Sequence, residues 1–319
     1  MSRAIEIRLG GYGPPTTSFS RALKLIGERL KGELGAAVEV RYVWNIMDFG
    51  YRAEDILWLV ESGLLTLGYQ STSYFTERVP ELGVLDLPFL FERRDEARAA
   101  MDGRLGEVLA RTIEAGLNHR ILGYFENGFR HISNRLRPVN RPGDLAGMRI
   151  RVLPSDIQVR TFELLGAVPM KMDLSEAIER IRAGTIDAQE NPLANTVTYG
   201  VHKFHRFHTL TGHFYLSRPI FLNRTSFDAW PGDLKSAMTA AVRDAVVSQR
   251  AHALEEEENA LVEIRREGCE VVELDLAEHA AFVAATRPLH AEARRLYPPE
   301  LLSLLPKVLP SAGRQGTDS

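Results

Sequence analysis

Arginine and asparagine, more than any nucleophile or metal ligand, are the residue types whose placement in this sequence suggests chemistry. In Met148-Arg149-Ile150-Arg151-Val152 the charged and apolar residues alternate, so in a strand Arg149 and Arg151 share one face. A guanidinium is planar and presents two parallel N–H groups, the geometry that grips a carboxylate. The same alternation also fits two solvent-facing arginines on an edge strand, since charged side chains are mostly exposed. Arg130, after Gly128 and Phe129, either faces a ligand or pairs with an acid such as Glu126 or Glu190. Asn191 is held extended by Pro192. Its amide can donate to a carboxylate oxygen, or its side chain can close an Asx turn into the proline.

Other groups carry weaker signals. His202, His205, His208 and His213 are spaced so that they drift around a helix and face opposite sides of a strand. That spacing suits surface or core histidines better than a tetrahedral zinc site. Gly10-Gly11-Tyr12-Gly13 follows a predicted strand as a phosphate loop would, but Pro14-Pro15 interrupts it and no Gly-Lys-Ser/Thr follows. It reads better as a turn lining a cleft, with Tyr12 near the ligand. Trp44, Phe49, Tyr69, Tyr74 and Phe129 lie near predicted strand ends; one or two are expected in a pocket wall, Tyr69 and Trp44 before the rest. No Gly-x-Ser-x-Gly elbow occurs, and Cys269 has no base signature nearby, which predicts an inert buried thiol.

These residues need elements to position them. Alternation predicts strands at Ile5–Leu9, Val38–Tyr42 and Leu65–Tyr69. Between them lie a helix capped at Ser18 and carrying Leu23, Ile26, Leu30 and Leu34, and another over 54–62 stopped by Gly63. This β-α-β-α-β order argues for a parallel sheet covered by helices. A helical region over 94–116 precedes a strand at Arg120–Phe125. After a loop over 136–147 come a strand at 148–152, helices over 156–165 and 175–183, and a short strand at 185–188. Residues 208–223 read as extended. Pro231 to Glu267 reads as one long helix ended by Gly268, with Glu255–Glu258 on its solvated face and a disordered tail after Pro310.

The 319 residues allow two medium domains, and a net charge of −3 without a basic stripe argues against nucleic-acid binding. One cysteine excludes an internal disulfide. No apolar run is long enough to span a membrane. Met1-Ser2-Arg3 runs directly into a predicted strand without a signal-peptide pattern, which leaves a cytoplasmic protein or a chain that begins after its signal.

Four motifs then stand in order: Asp86-Leu87-Pro88-Phe89-Leu90-Phe91, Glu126-Asn127-Gly128-Phe129-Arg130, Asp144-Leu145-Ala146-Gly147-Met148-Arg149-Ile150-Arg151-Val152 and Ile186-Asp187-Ala188-Gln189-Glu190-Asn191-Pro192. Together they resemble the DctP-type substrate-binding proteins of TRAP (tripartite ATP-independent periplasmic) transporters, over about residues 5–260. The resemblance implies an α/β, two-lobed periplasmic-binding-protein-like fold with crossing hinge strands and a long spanning helix. Lobe I would comprise residues 1–126 plus 214–252, and lobe II residues 127–213 plus 253–319. It implies a periplasmic receptor, its signal removed, and not an enzyme. Its partners would be a small organic acid and the membrane subunits of the transporter, with no nucleic acid, membrane insertion, metal or cofactor.

By motif position Arg151 is implied as the carboxylate clamp, Asn191 as a contact to the same carboxylate and Arg130 as a second basic contact; Tyr12, Tyr69 and Trp44 complete the expected ligand-binding set. Lys203-Phe204 and Thr211-Gly212-His213 also match the family, which supports a structural role for the histidines. Ala188 replaces a glycine of the family's motif, and the segment Val43–Gly50 departs from the family's usual loop. Two rival readings are a cytoplasmic α/β enzyme acting on an organic acid and a sensing module that docks to a signalling receptor.

Overall fold

The computed structural model describes residues 4–306; the expected disorder after Pro310 lies outside them. Among these residues nine strands form one sheet. They are β1 (Ile5–Gly10), β2 (Val38–Val43), β3 (Leu67–Tyr69), β4 (His119–Asn134), β5 (Arg149–Val152), β6 (Val168–Lys171), β7 (Ala188–Asn191), β8 (Phe207–Asn223) and β9 (Glu270–Val272). The helices of the N-terminal part are α1 (Ser18–Leu34), α2 (Ile56–Glu61), α3 (Arg94–Asp102) and α4 (Arg104–Gly116). Those of the rest are α5 (Asp156–Leu164), α6 (Leu174–Arg182), α7 (Leu193–Thr198), α8 (Arg224–Ala229), α9 (Gly232–Arg266), α10 (Leu276–Leu296) and α11 (Pro299–Leu302).

The strand order is β2-β1-β3-β8-β4-β7-β5-β6, with β9 added to β8. β1 pairs in parallel with β2 and β3, and β5 in parallel with β6 and β7. Between these halves run β4 and β8, an antiparallel pair in register from His119↔Asn223 to Asn134↔Phe207 with three shifts. Gln249 of α9 serves one of them: it accepts from the Glu126 N–H at 2.9 Å and donates to the Glu126 carbonyl at 2.9 Å. The sequence showed only the first part of β4, because its later residues carry the polar side chains of the site.

Two main apolar cores accompany the halves. One gathers Ile7 and Leu9 of β1, Leu23 and Ile26 of α1, and Met238 and Val242 of α9; the other gathers Ile132, Ile150, Val152, Phe162 and Phe214. α1 buries Phe19, Leu23, Ile26 and Leu30 at helical spacing. Its cap is Thr17, not Ser18, the Thr17 side chain accepting from the Ser20 N–H. The expected helix over 94–116 breaks at Gly103 into α3 and α4. The turn is so tight that a Cβ on Gly106 would lie 1.8 Å from the Met101 carbonyl oxygen.

β6 was missed because Pro169 marks a strand that only a sheet edge tolerates, which is where it sits. The short strand expected at 185–188 begins at Ala188 instead. The acidic run of α9 is not wholly solvated. Glu255 and Glu258 are exposed, but Glu256 accepts from the Ser18 N–H of α1, and Glu257 accepts from Leu193 and Ala194 N–H of α7, both at 3.1 Å. The long helix thus holds the N-termini of helices from both halves.

Candidate functional site

The parallel strands of both halves end towards one small buried cavity of about 20 Å³. From the first half come Tyr12, just after β1, Gln70 and Ser71, just after β3, and Tyr74. Gly11 permits the Tyr12 turn: a Cβ there would lie 2.8 Å from the Trp44 carbonyl oxygen and 3.0 Å from Tyr69 Oη. From the second half come Arg151 on β5, Asn191 on β7, Asn195 on α7 and Tyr199 just beyond it. β4 and β8 supply Asn127, Arg130 and Arg218. The carboxyl ends of parallel strands in an α/β sheet leave such a crevice for ligands.

Arg149 and Arg151 share a face, as the alternation predicted, but meet different surroundings. Arg149, at the start of β5, is exposed and makes a two-pronged pair with Asp187 at 2.9 and 3.0 Å. The Arg149 guanidinium, together with backbone and Arg135 hydrogen bonds, holds the Asp187 carboxyl well below its ordinary value, against a smaller opposing effect of burial. Arg151 is 1% exposed. Its Nε donates to the Met172 carbonyl at 3.2 Å and its Nη2 to Tyr74 Oη at 3.0 Å. Among the described residues it forms no ion pair.

Arg130 pairs with Glu190. Its Nη2 donates to Glu190 Oε1 at 2.8 Å and to the Glu190 carbonyl at 2.7 Å, while its Nε binds the other carboxylate oxygen. Burial pushes the Glu190 carboxyl up, but Arg130 and His213 outweigh it and hold it below its ordinary value. Glu126, the other candidate, is taken by Arg94 and Arg98. Arg130 therefore lines the cavity as half of a neutral pair, and it anchors the strand that carries Asn191.

Asn191 Oδ1 accepts from Asn195 Nδ2 at 3.1 Å, and Asn195 Nδ2 also donates to Asn127 Oδ1 at 3.1 Å. With its oxygen engaged, Asn191 keeps its Nδ2 hydrogens as its free donors. Asn127 Oδ1 in turn accepts from Arg218 Nη2 at 2.7 Å. A polar chain thus runs Arg218–Asn127–Asn195–Asn191 across the middle of the sheet.

Of the six residues expected at the site, Arg151, Asn191, Arg130 and Tyr12 line the cavity. Tyr69 and Trp44 do not. Tyr69 lies behind Tyr12, ring centres 5.2 Å apart, and packs on Phe19 and Phe125. Trp44 stacks on Tyr42 at 4.5 Å, on the outer side of the turn. Their strand ends reach the crevice, but the Tyr69 ring fills the core beneath it and the half-buried Trp44 packs against that core.

Arg218, Tyr199, Asn127 and Asn195 line the cavity without having been expected there, and Tyr74, one of the aromatics expected near a pocket wall, lines it as well. Arg218 had a signal: it is the lone charge in the mostly apolar run Phe214–Phe221. The tyrosine hydroxyls are buried, and burial raises Tyr74 and Tyr199 above their ordinary values, so both serve as neutral donors.

Outside the cavity a wider cleft of about 840 Å³ lies between the 45–52 segment and residues around Ser175, Arg182 and Lys203; Tyr199 lines both spaces. The segment Val43–Gly50 thus borders the outer cleft through Asn45, Met47, Asp48 and Gly50. Direct contacts bridge the halves. The Glu54 N–H donates to Asp173 Oδ1 at 3.0 Å, the Ala53 N–H to Ser175 Oγ at 3.2 Å, and Gln158 Nε2 to Asp86 Oδ1 at 3.0 Å.

The histidines have separate partners. His205 Nδ1 meets Ser133 Oγ at 2.9 Å, His208 Nε2 the His205 carbonyl at 3.0 Å and His213 Nδ1 Thr211 Oγ1 at 2.6 Å; all are buried. Cys269 is half-buried, not buried, with Sγ 3.4 Å from the His202 carbonyl; burial raises its thiol. No described helix is long and apolar enough to cross a membrane.

Comparison with known proteins places this site in context. The model of the bacterial extracellular solute-binding proteins, family 7 (DctP), matches residues 10–296. The chain is 33% identical over 276 residues to a solute-binding protein of Verminephrobacter eiseniae, covering 86% of this chain and 81% of that one. It superposes with a TM-score of 0.90 and 25% identity on the sugar acid binding protein DctPAm of Advenella mimigardefordensis, solved in complex with galactonate, covering 95% and 97% of the two chains. A TRAP periplasmic solute binding protein of Chromohalobacter salexigens with bound D-glucuronate gives a TM-score of 0.87 at 26% identity, over 93% and 97%.

Proposed function

Because the chain belongs to the bacterial extracellular solute-binding proteins of family 7, and so to receptors rather than enzymes, we propose that it captures a small organic acid by a salt bridge from Arg151 and delivers it to the membrane subunits of a TRAP-type transporter. The observation that carries this reading is a buried guanidinium, 1% exposed, lining a cavity without an acidic partner among the described residues. A guanidinium keeps its charge, and burying it unpaired costs several kcal/mol in order-of-magnitude terms. A ligand carboxylate accepting two parallel N–H bonds offsets that cost. Asn191 Nδ2 and the Tyr74 hydroxyl are placed to donate to the same group, and Arg130, neutralised by Glu190, positions Asn191.

The cavity of about 20 Å³ holds roughly one water molecule. An organic acid needs several times that space, so entry requires the halves to part and then close with the arginine ends rearranged. The proposed lobes are residues 1–126 plus 214–252 and residues 127–213 plus 253–319, hinged where β4 and β8 cross. Contacts such as Glu54 to Asp173 form only on closure. A ligand gripped from both lobes favours the closed form by its difference in affinity for the two states.

Thermal-shift and calorimetric titration of the purified protein against small carboxylates and their neutral amides tests this. Carboxylates alone should raise the melting temperature, by about 2.7 kcal/mol of stabilisation at a hundredfold excess over Kd. Arg151→Ala should abolish the shift, and Arg151→Lys should retain only part of it because a point charge replaces the fork. Equal shifts with the amides, or undiminished affinity in Arg151→Ala, would overturn the salt-bridge assignment.

A further inference from the structure

Two spaces between the halves meet at one side chain. The inner cavity of about 20 Å³ is lined by Arg151, and the outer cleft of about 840 Å³ lies between the 45–52 segment and the residues around Ser175. The first has room for a water and the second for a whole small molecule. Among the described residues Tyr199 alone lines both.

Tyr199 is placed as a partition. It follows α7 on the second half, its N–H donating to the Asn195 carbonyl at 3.0 Å, and Gly200, at φ +70°, turns the chain away behind it. Its half-buried side chain packs against the small core of Met172, Ala177, Ile181, Ile186 and Val201 and also against the main core of the first half. Its hydroxyl crosses between the halves and donates to the Tyr12 carbonyl at 3.3 Å. That acceptor is held in place: Tyr12 forms a bridge with Asn45, and the Ile46 N–H donates to the Gly11 carbonyl at 3.0 Å. One aromatic ring and one hydroxyl–carbonyl bond thus separate a cavity built around a guanidinium from a much larger cleft. Beyond the ring, Met47 from the first half and Ile178 and Val197 from the second offer that cleft apolar surface.

We infer that Tyr199 sets the length of the acid this protein accepts. The shut ring confines the ligand to the space around Arg151; shortening the side chain opens that space into the outer cleft and admits acids with long apolar tails. The inference rests on the carboxylate-receptor reading above and adds a size limit to it. With its carboxylate on Arg151, a long acid has to displace the ring, break the bond to Tyr12 and uncover the apolar surface on which Tyr199 packs. Short acids are spared that cost, and this makes Tyr199 a residue of specificity and not only of closure.

Calorimetric titration with the straight-chain 2-hydroxy acids from lactate to 2-hydroxydecanoate tests this. The unaltered protein should bind members up to a limiting length and lose about tenfold or more in affinity beyond it, as an overfilled site does. Tyr199→Ala should bind the members beyond that limit more tightly than the unaltered protein does, by up to about fourfold for each methylene group buried in the outer cleft. Its affinity for the short members should change far less. Tyr199→Leu keeps apolar packing without the reach and should move the limit in the same direction, so a poorly folded Ala variant does not decide the matter. Tyr199→Phe keeps the ring and loses only the bond to Tyr12; it should weaken all members alike, by about two- to tenfold, and leave the limit where it is. Long and short acids changing by the same factor in Tyr199→Ala and Tyr199→Leu, or an unaltered protein with no length limit, would overturn the partition while leaving the Arg151 clamp intact. If no member binds any of these proteins, the carboxylate reading itself falls, and this inference with it.

Discussion

Arg130 and Arg151 stand side by side at one cavity, equally buried and both on strands, yet they are opposite in kind. Arg130 has its countercharge built into the protein, from Glu190 on the neighbouring strand, with the bond to the Glu190 carbonyl completing the geometry. Arg151 has a carbonyl and a phenol. Both arrangements satisfy hydrogen bonds, but only the first satisfies charge. Burial and residue type are the same for the two; an acidic partner, present for one and absent for the other among the described residues, separates them.

The sharpest test of that contrast is the stability of the unliganded protein. Glu190→Gln should strip Arg130 of its partner inside the core and cost roughly 3–5 kcal/mol, read by denaturant unfolding. Arg151→Met should cost nothing or stabilise the empty protein, because it removes a charge that has no partner. If the two substitutions destabilise alike, the distinction between a structural and a ligand-ready arginine is wrong.

Acid should separate the two centres next. Burial lowers the His119 and His208 rings to about 4 and the His205 ring to about 3. Their folded values lie below the unfolded one, so the unfolded chain binds more protons as pH falls. Their stabilisation is complete above the unfolded value and is lost from there downward. Between about pH 7.5 and about pH 5.5 each costs roughly 1.4 kcal/mol. Asp86 acts in the opposite sense, raised to about 6 by burial against its Ser73 and Gln158 hydrogen bonds. It returns somewhat under 1 kcal/mol, while His131, lowered to about 3 by burial, adds a further loss of roughly 1.4 kcal/mol, for a net loss of roughly 4.5 kcal/mol. Unfolding curves across this range should show that loss while ligand affinity of the folded protein, set by arginines, changes little.

The smallest expected effect lies in a third arrangement, a carboxylate facing backbone amides. Glu257→Gln should keep an acceptor for Leu193 and Ala194 but lose the charge assistance, costing about 1 kcal/mol. It should also weaken ligand binding slightly through the strand and helix that carry Asn191 and Asn195. A calorimetric and unfolding comparison with the unaltered protein measures both.

Much of this was legible in the residue order, and the limits have physical causes. Alternation revealed β1, β2 and β5, and the stretch free of helix breakers between Pro231 and Gly268 revealed the long helix. Arg151 and Asn191 reach the cavity where motif and local geometry agreed, and Tyr12 where the glycine-rich turn alone pointed to a cleft. Arg218 was passed over: a charge inside an apolar run was the clue, but whether such a charge has a partner is settled only when β3, β4 and β8 come together. Tyr69 and Trp44 lie outside the cavity lining for a related reason. A strand end can be assigned from sequence, but on which side of the sheet an aromatic ring finds room depends on its neighbours, here Tyr12 and Tyr42. Glu256 and Glu257 were taken for solvent-facing charges because nothing in a helical acidic run shows that two other helices begin against it.

The place of β8 in the sheet bears on how the chain is made. Among the described residues the strands β2, β1 and β3 on one side and β4, β7, β5 and β6 on the other are joined only through it. Until residue 223 has left the ribosome the two sides share no strand pairing, and the first core still lacks the side chains that α9 supplies. Contacts so distant along the chain form late and slowly. A nascent polypeptide that cannot lock its sheet during most of its synthesis remains threadable, the condition a protein needs if it is to cross a membrane before it folds.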